Sequence, residues 1–398
     1  MKPTGPVAAW LLLVAWAAPA AAPSGQNPVR VRLFCNQQVR ACTLSSDADL
    51  ALADESGAER AVIPGGHAVS VRCQGGALLV EYSSKRFAAG IIRARSENGL
   101  IRVMDRPYRG EIALRSANGS IAAVNTLPLE DYLRSVVPAE IPRSFHPEVI
   151  KAQAVLSRTI AINWMGRHAK EGADFCDLTH CQVYAGASTE TPTTDAAVAQ
   201  TRGLIVTYRG QPAQVFYHST CGGHTADASR AWPGAAWPRY LRGVPDLLDG
   251  KPACSRSPHL TWRAAVSHQE MNDSLGFPEA EIAVARREEC GRVSEILVRW
   301  PDGEKRITGE QFHILLGRKL GWARVKSAWF EVKRRDDTWS FSGKGLGHGV
   351  GLCQWGANAR CLKGLSCTQV LAHYFPGARL QRGDRLHPND AGASRLRP

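Results

Sequence analysis

Short segments in which apolar and polar residues alternate dominate the chain from Val29 to about Met104. VRVRLF comes first, and VSVRC, ALLVEY and LIRVM follow, separated by glycine-containing turns such as PGG and QGG. Alternation with a period of two residues is typical of strands that bury one face. The pattern therefore predicts a β-rich N-terminal region, which we place at residues 23–105.

A helical spacing begins with LPLEDYLRSVV. Leu129, Leu133, Val136 and Val137 lie at i, i+4, i+7 and i+8, on one face of a helix. Pro138 follows at once and is expected to end that helix.

A longer helix is predicted next. Pro147 suits a first helical position, Glu148 lies in the first turn, where the helix dipole favours an acid, and the run continues without a breaker to Trp164. Farther along, LIVTY, AQVFYHS, EILVRW and WFEVK are typical of strands. Helices and strands alternate without a regular βαβ rhythm, so the predicted fold class of residues 106–382 is α+β, followed by a flexible tail at 383–398.

The first 22 residues are typical of a secretory signal peptide. Lys2 precedes the apolar run AAWLLLVAWAA, and PAAAP supplies small residues for cleavage. A retained anchor is the alternative, although the run is short for crossing a bilayer. No later stretch of the sequence has the length of a membrane helix. We expect a secreted protein that is periplasmic or associated with the cell wall, without a transmembrane segment after signal removal.

Charge and cysteine content fit such a location. The 398 residues include 49 Lys and Arg against 36 Asp and Glu, a formal net charge of +13. This excess favours a polyanionic neighbour, or serves only solubility. Eleven cysteines in an oxidising compartment predict disulfides. Cys35 with Cys42 and Cys361 with Cys367 are spaced for small disulfide loops, and an odd count leaves a free thiol or metal ligands.

The connector PAEIP contains a candidate general acid. Glu140 is flanked by Ala139 and Ile141 and bracketed by two prolines. An apolar, stiff surrounding desolvates the carboxylate and raises its pKa, which suits proton donation. The alternative is a solvated or helix-capping glutamate. Arg158, on the following helix, is expected to reach back toward this connector.

Two clusters combine cysteine and histidine. HAKEGADFCDLTHC contains His168, Cys176, His180 and Cys181, which suit tetrahedral zinc, while a Cys176–Cys181 disulfide is the alternative. FYHSTCGGHT places Cys221 between two histidines. A metal ligand or a thiol nucleophile would use these residues, and a disulfide at Cys221 is the simpler interpretation.

The stretch GHGVGLCQWG, with glycine at four of its ten positions, requires close backbone approach or positive φ. The spacing of GKGLGHG resembles a phosphate-binding loop. However, the strand–loop–helix unit and the GK[ST] sequence of nucleotide-binding proteins are missing around it, which argues against a nucleotide.

Five segments, taken together, carry a family resemblance. YRGEIAL, VNTLPLEDYLRSVVPAEIP, KAQAVLSRT, GKGLGHGVGLCQWGA and HYFPGARL occur in this order. From about Arg106 to about Leu380 the chain resembles the stage II sporulation protein D / amidase-enhancer family, whose sporulation members look like peptidoglycan lytic transglycosylases. The resemblance implies a glycan cleft, cleavage between N-acetylmuramic acid and N-acetylglucosamine, and a 1,6-anhydro product. Glu140 matches the family's catalytic glutamate.

The resemblance also implies partners and further site residues. Peptidoglycan glycan strands are the expected partner, with no nucleic acid; the alternative is a non-catalytic peptidoglycan-binding activator of a cell-wall amidase. A structural zinc is expected at His168, Cys176, His180 and Cys181. Cys353 and Trp355 depart from the family pattern, as does arginine in place of lysine at position 242. The predicted substrate-binding residues are Arg158, Tyr240, Arg242, His348, Gln354 and Trp355.

Overall fold

The computed structural model describes residues 28–383. The predicted signal peptide, and the predicted tail beyond Gly383, lie outside the described residues. Within them, residues 28–129 and 166–177 form a first compact unit, and residues 130–165 and 178–383 form a second. The boundary predicted at residue 105 thus falls inside the first unit. The mixed α+β class predicted from the sequence is confirmed.

The first unit is built from strands, as its alternating pattern predicts. They are β1 (Val29–Leu33), β2 (Ala41–Ser46), β3 (Leu50–Ala53), β4 (Glu59–Ile63), β5 (Ala68–Gln74), β6 (Ala77–Tyr82), β7 (Lys85–Ala89), β8 (Ile91–Arg95), β9 (Ile101–Val103), β10 (Arg106–Tyr108), β11 (Glu111–Ala117), β12 (Ser120–Leu127) and β13 (Phe175–Cys176). One sheet has the order β13-β1-β12-β11-β8-β3-β4, and the other has the order β10-β9-β2-β5-β6-β7. In β1, Val29, Val31 and Leu33 are buried while the two arginines between them are half-buried.

Helices supply much of the second unit. They are α1 (Leu129–Glu140), which starts at the unit boundary, α2 (Pro147–Trp164), α3 (Pro192–Gln200), α4 (Ala228–Ala231), α5 (His268–Leu275), α6 (Gly309–Leu320), α7 (Gln354–Leu362) and α8 (Cys367–Tyr374). The sequence-predicted helix ending at Trp164 is α2. Its start is capped by the His146 side chain, which accepts a hydrogen bond from the Glu148 amide at 3.2 Å.

Pro138 does not end α1, so that prediction is wrong. The helix continues to Glu140, and the Ile141 amide still donates to the Val137 carbonyl at 3.2 Å. Proline near a helix C-terminus removes only its own hydrogen bond. The burial of Val136 and Val137, both 0% exposed, outweighs the local preference against helix. Glu140 is therefore the last residue of a helix.

The strands of the second unit are short near the candidate site. They are β14 (Leu204–Tyr208), β15 (Gln211–Pro212), β16 (Tyr217–His218), β17 (Leu247–Leu248), β18 (Lys251–Pro252), β19 (Thr261–Ser267), β20 (Glu281–Arg287), β21 (Val293–Trp300), β22 (Gly303–Thr308), β23 (Phe330–Arg335), β24 (Thr338–Lys344), β25 (Leu352–Cys353) and β26 (Arg379–Arg382). β16 pairs in parallel with β25, with Tyr217 opposite Leu352 and His218 opposite Cys353. This pairing brings two distant segments of the sequence together.

Residues 261–344 form a subregion of the second unit with its own core. Phe312, Phe330 and Phe341 lie at the centre of this core and are buried. The subregion begins and ends on paired strands, because Thr261 in β19 lies opposite Lys344 in β24.

Among residues 28–383, no helix is long and apolar enough to cross a membrane.

Candidate functional site

Glu140 has a defined carboxylate environment at the end of α1. The Val183 amide donates to its Oε1 at 2.7 Å, and the Tyr217 hydroxyl, which donates to Gln182 Oε1 at 3.4 Å, also interacts with the carboxylate. Burial raises the pKa of Glu140 above its ordinary value near 4.5, and the two hydrogen bonds act in the opposite direction. The carboxyl group is thus held in place and kept easier to protonate than a solvated glutamate.

Gln354 fixes the backbone of the same residue. It is the first residue of α7, and its Nε2 donates to the Glu140 carbonyl at 2.8 Å and to Gln153 Oε1 at 3.1 Å. The Gln153 side chain in turn donates to Ser157 Oγ at 3.2 Å. One buried amide therefore links the end of α1, the middle of α2 and the start of α7.

His348 hydrogen-bonds the backbone of the protein through both ring nitrogens. Its Nε2 lies 3.0 Å from the Tyr217 carbonyl, and its Nδ1 accepts from the Val350 amide at 3.1 Å. These contacts call for a neutral ring with the proton on Nε2, and burial indeed lowers the pKa of His348. His348 thereby fixes the backbone of Tyr217, whose hydroxyl contacts Glu140.

The glycines around His348 allow the loop to lie against the protein. Gly349 has φ +82°, and a Cβ there would come within 2.5 Å of the Arg292 guanidinium carbon. Gly351 has φ +75°, and a Cβ there would overlap the Phe216 carbonyl. Both positions require glycine for conformation and for space. The glycines of GHGVGLCQWG thus approach the protein's own interior.

Trp355 follows Gln354 and is half-buried. Its ring meets the Phe145 ring edge-on with centroids 4.9 Å apart, and its amide donates to the Ser219 carbonyl at 3.1 Å. Phe145 belongs to the connector between α1 and α2. Trp355 therefore brings an aromatic surface next to the segment that contains Glu140.

Comparison with known proteins agrees with this arrangement of motifs. A sequence model of the family described as stage II sporulation protein matches residues 117–208. Stage II sporulation protein D of Bacillus subtilis (strain 168) is 32% identical over 286 residues, which are 68% of this chain and 78% of the relative. An uncharacterised protein of Brachyspira hyodysenteriae is 31% identical over 287 residues, 70% of this chain and 74% of the relative. The chain belongs to the stage II sporulation protein D family.

Family membership confirms the resemblance found in the sequence, and a second named relative extends it. The amidase enhancer of Bacillus subtilis (strain 168) is 26% identical over 299 residues, 62% of this chain and 40% of the relative. The family's PAEIP and GHGVGLCQWG segments, more than 200 positions apart, meet through the hydrogen bond between Gln354 and Glu140.

Arg158 is an internal residue of the second unit. It is 0% exposed, and its Nε and Nη2 donate to the two carboxylate oxygens of Glu130, each at 2.8 Å. Its Nη1 donates to the Leu204 carbonyl at 3.0 Å. The side chain thus joins α1, α2 and β14 in the interior of the second unit.

The predicted pair Tyr240 and Arg242 lies in a different environment from Glu140. Tyr240 is 4% exposed and packs edge-on against Tyr208, with centroids 4.7 Å apart. Arg242 follows it and is exposed. The tyrosine whose hydroxyl meets the Glu140 carboxylate is Tyr217, which the sequence interpretation left unassigned. The sequence pattern predicted that AQVFYHS forms a strand, but it did not predict the pairing of this strand with β25.

The predicted zinc ligands divide between the two units. His168 and Cys176 belong to the first, where Cys176 is buried in β13 and the His168 Nδ1 lies 3.0 Å from Glu171 Oε1. His180 and Cys181 belong to the second, with His180 Nδ1 3.8 Å from Cys181 Sγ. Cys35 of the first unit hydrogen-bonds Cys176, a neighbour that sequence spacing did not indicate.

Neither predicted short disulfide loop is formed, since Cys35, Cys42, Cys361 and Cys367 all have free thiols. Cys35 follows β1 in one sheet, whereas Cys42 lies in β2 of the other sheet. Although Cys35 and Cys42 are close in sequence, they belong to different sheets. Cys361 and Cys367 lie on two separate helices, α7 and α8.

Proposed function

We propose that the protein is a peptidoglycan lytic transglycosylase that uses Glu140 first as an acid and then as a base. The observation that supports this most is the state of the Glu140 carboxyl, whose pKa burial raises while Val183 and Tyr217 hold it in one orientation. A general acid benefits from both features, because a raised pKa keeps the proton available and a fixed orientation directs its delivery. Membership of the stage II sporulation protein D family supports a role related to the cell wall.

The reaction needs only one carboxyl group. Protonated Glu140 donates its proton to the glycosidic oxygen as the bond from that oxygen to C1 of N-acetylmuramic acid breaks. The resulting carboxylate then takes the proton of the C6 hydroxyl while the C6 oxygen bonds to C1. The products are a free 4-hydroxyl on N-acetylglucosamine and a 1,6-anhydro ring, and Glu140 ends protonated as it began. The substrate supplies the nucleophile that a two-carboxylate hydrolase obtains from water or a second acid.

The surrounding residues have supporting roles in this proposal. Tyr217 donates to the carboxylate form, so it stabilises Glu140 after proton transfer. Gln354 and His348 are positioning residues, because they act through the backbone of Glu140 and of Tyr217. Trp355, half-buried beside Phe145, offers a ring on which a sugar can stack.

We assign Arg158 a positioning role through Glu130 in place of direct glycan contact. Arg242 remains a proposed glycan contact because it is exposed.

A second function is favoured by one relative. Similarity to a protein named amidase enhancer supports a non-catalytic role, in which the protein binds peptidoglycan and activates a cell-wall amidase. The two proposals differ in what Glu140 does. In the activator, the carboxyl group contributes nothing to bond cleavage.

The deciding experiment uses glycan strands stripped of stem peptides. Wild-type protein is expected to generate 1,6-anhydromuramic ends, detected by mass spectrometry, and Glu140→Gln is expected to generate none while binding the strands as wild type does. If wild type and Glu140→Gln both bind glycan and neither forms anhydro ends, the transglycosylase proposal fails. Stimulation of a purified amidase by both proteins would then support the activator.

We further propose a structural zinc ion held by His168, Cys176, His180 and Cys181. Two imidazoles and two thiolates are a donor set that zinc prefers, and both cysteines are buried. Zinc would hold these side chains together and take no part in the reaction. Metal analysis of Cys176→Ser and Cys181→Ser tests this: each should contain about one zinc fewer per chain. Undiminished zinc in both variants, or a mapped Cys176–Cys181 disulfide, would remove the assignment.

The proposed setting is the secreted, periplasmic or wall-associated compartment to which residues 1–22 would direct the chain. Sequencing the N-terminus of protein recovered outside the cytoplasm is expected to show cleavage near residues 20–22. Retention of the full apolar run on a membrane fraction would contradict this.

A further inference from the structure

Three cysteines from distant parts of the sequence meet in the interior of the second unit. Cys221 follows β16, Cys254 follows β18, and Cys353 ends β25. Their Sγ atoms all lie within 4.8 Å of one another, and each residue is 0% exposed. The thiols of Cys221 and Cys254 are 3.7 Å apart. The family resemblance assigned nothing to this group, and Cys353 was an unexplained departure from the family pattern.

Backbone amides donate to two of the three sulfur atoms. The Cys221 amide donates to Cys353 Sγ at 3.2 Å, and the Gly356 amide donates to the same sulfur at 3.3 Å. The Gly223 amide donates to Cys221 Sγ at 3.2 Å. Repeated N–H donation to sulfur stabilises negative charge on it. A buried group of such charges requires a cation within it.

A buried carboxylate borders the cluster. Asp246 is 0% exposed, and its Oδ2 lies 3.1 Å from Cys221 Sγ. Arg360 and the Tyr374 hydroxyl hold this carboxylate, at 2.9 Å and 3.0 Å. A ligating or neighbouring carboxylate that is itself fixed by hydrogen bonds is typical of metal centres.

We propose that Cys221, Cys254 and Cys353 form a buried thiolate site for one divalent metal ion, with zinc as the metal that fits best. Zinc–sulfur bonds of about 2.3 Å in a tetrahedron place the sulfur atoms roughly 3.8 Å apart. The 3.7 Å between Cys221 and Cys254 already matches that spacing. Asp246 Oδ2 is the candidate fourth ligand. Binding converts the three thiols to thiolates and releases their protons to solvent.

The other uses of these cysteines fit the geometry less well. A thiol nucleophile requires access to substrate and a base, yet Cys221 is fully buried and His224 directs its Nδ1 to the Thr225 carbonyl at 2.7 Å. A Cys221–Cys254 disulfide would use two of the thiols. It would leave Cys353, which accepts two backbone hydrogen bonds, without a function.

The site would act as a structural clamp next to Glu140. Cys353 immediately precedes Gln354, which hydrogen-bonds the Glu140 carbonyl at 2.8 Å. The metal would thus fasten the GHGVGLC segment to the segments of Cys221 and Cys254. This proposal is independent of glycan cleavage, because it concerns metal content alone.

The test starts from the full chain with Cys176→Ser and Cys181→Ser, which removes the zinc proposed at the other cluster. This protein is expected to bind about one zinc ion per chain by native mass spectrometry. Adding Cys254→Ser should abolish that zinc, whereas adding the control Cys290→Ser, a half-buried thiol beside Glu288, should leave it unchanged. Equal zinc with and without Cys254→Ser would overturn the proposal.

A second measurement avoids any substitution within the cluster. Cobalt(II) added to the metal-stripped Cys176→Ser, Cys181→Ser protein is expected to give the strong near-ultraviolet absorption of thiolate-to-cobalt charge transfer. Absence of that absorption would count against the site. So would peptide mapping that finds Cys221 and Cys254 joined as a disulfide in the purified wild-type chain.

Discussion

The side chain of Gln354 donates a 2.8 Å hydrogen bond to the backbone carbonyl of Glu140, 214 positions earlier in the sequence. This bond joins the first residue of α7 to the last residue of α1. A helix-terminal carbonyl has no partner within its own helix, so an outside donor both satisfies it and fixes its direction. The orientation of the Glu140 side chain therefore depends on a loop motif from the far end of the chain.

We predict that Gln354→Ala lowers glycan cleavage about 10-fold or more, because a small displacement of a catalytic group costs rate steeply. It should also lower the free energy of unfolding by about 1–3 kcal/mol, since buried acceptors lose their donor. Cleavage rates and urea unfolding measure the two effects. Gln269→Ala, which removes an exposed glutamine bonded to Asp273, is the control and should change neither. Wild-type cleavage by Gln354→Ala would contradict the positioning role.

Removing the Tyr217 hydroxyl should change the pH dependence of cleavage. Its hydrogen bond lowers the pKa of Glu140, so Tyr217→Phe is expected to raise that pKa further. Activity that requires protonated Glu140 falls as pH rises through this pKa. The alkaline limb of the kcat/KM profile should therefore move to higher pH in Tyr217→Phe. A limb that stays in place, or moves to lower pH, would show that Tyr217 does not act on the carboxylate.

Glu140 should reduce stability at neutral pH. Because its pKa is raised in the folded state, the folded protein holds this proton more tightly than the unfolded chain does. The tighter proton binding stabilises the folded state fully below the ordinary pKa near 4.5, and this stabilisation is lost as pH rises through the folded pKa. Glu140→Gln is thus expected to gain thermal stability relative to wild type as pH rises from about 4 to 8.

Glu148→Gln is the control for that measurement, and its stability relative to wild type should change with pH in the opposite direction. The Lys151 ammonium and the Cys367 amide lower the pKa of Glu148, so its carboxylate adds stability above its ordinary value near 4.5. Glu148→Gln should therefore lose stability relative to wild type as pH rises. The same sign for both variants would contradict the environment of Glu140 described above.

Any side chain at position 349 should destabilise the folded protein. The φ of +82° at Gly349 disfavours other residues, and a Cβ would meet the Arg292 guanidinium at 2.5 Å. We expect Gly349→Ala to reduce the free energy of unfolding by about 2–4 kcal/mol. Gly364→Ala separates the two causes, because Gly364 has φ +92° with nothing within 4 Å of a Cβ. It should lose only about 1–2 kcal/mol. Equal losses at both positions would mean that the contact with Arg292 is unimportant.

The ion pair between Arg158 and Glu130 is expected to be sensitive to loss of one partner. Arg158→Met leaves a buried carboxylate without its cation and should cost about 3–5 kcal/mol of unfolding free energy. Adding Glu130→Leu should recover most of that loss. Arg324→Met is the control: it breaks an exposed pair with Glu270 and should cost less than about 1 kcal/mol. A small effect of Arg158→Met would contradict its internal role.

Local patterns in the sequence predict the helices and strands but not the tertiary contacts between them. Alternation predicts the strands of residues 29–104, and helical periodicity predicts α1, because a buried face sets the spacing of apolar residues. The start signals at Pro147 and Glu148 and the unbroken run to Trp164 predict α2. The end of α1 was misplaced at Pro138, where packing of Val136 and Val137 outweighs a local rule. The apolar neighbours of Glu140 made it a candidate, and the family resemblance selected it as the catalytic residue.

Contacts made by strand pairing could not be predicted in the same way. Tyr217 reaches Glu140, and Cys221 reaches Cys353, because β16 lies beside β25, a pairing of two residues each. Pairs this short leave almost no periodic signal. Cys254 is equally hidden, since its two partners lie 33 and 99 positions away. The departure at Cys353 was visible in the sequence, but its partners were not.

The pairing of Thr261 with Lys344 has a consequence for how this chain can change over evolution. Residues 261–344 leave the remainder of the second unit and return to it at adjacent positions, with a core of their own. Their length can therefore vary at positions away from Arg292, whose guanidinium donates to the Cys221 carbonyl at 2.7 Å, without altering the segments that contain Glu140, Cys254 or Cys353. Insertions and deletions among relatives are expected to concentrate in the loops of this stretch that lie away from Arg292.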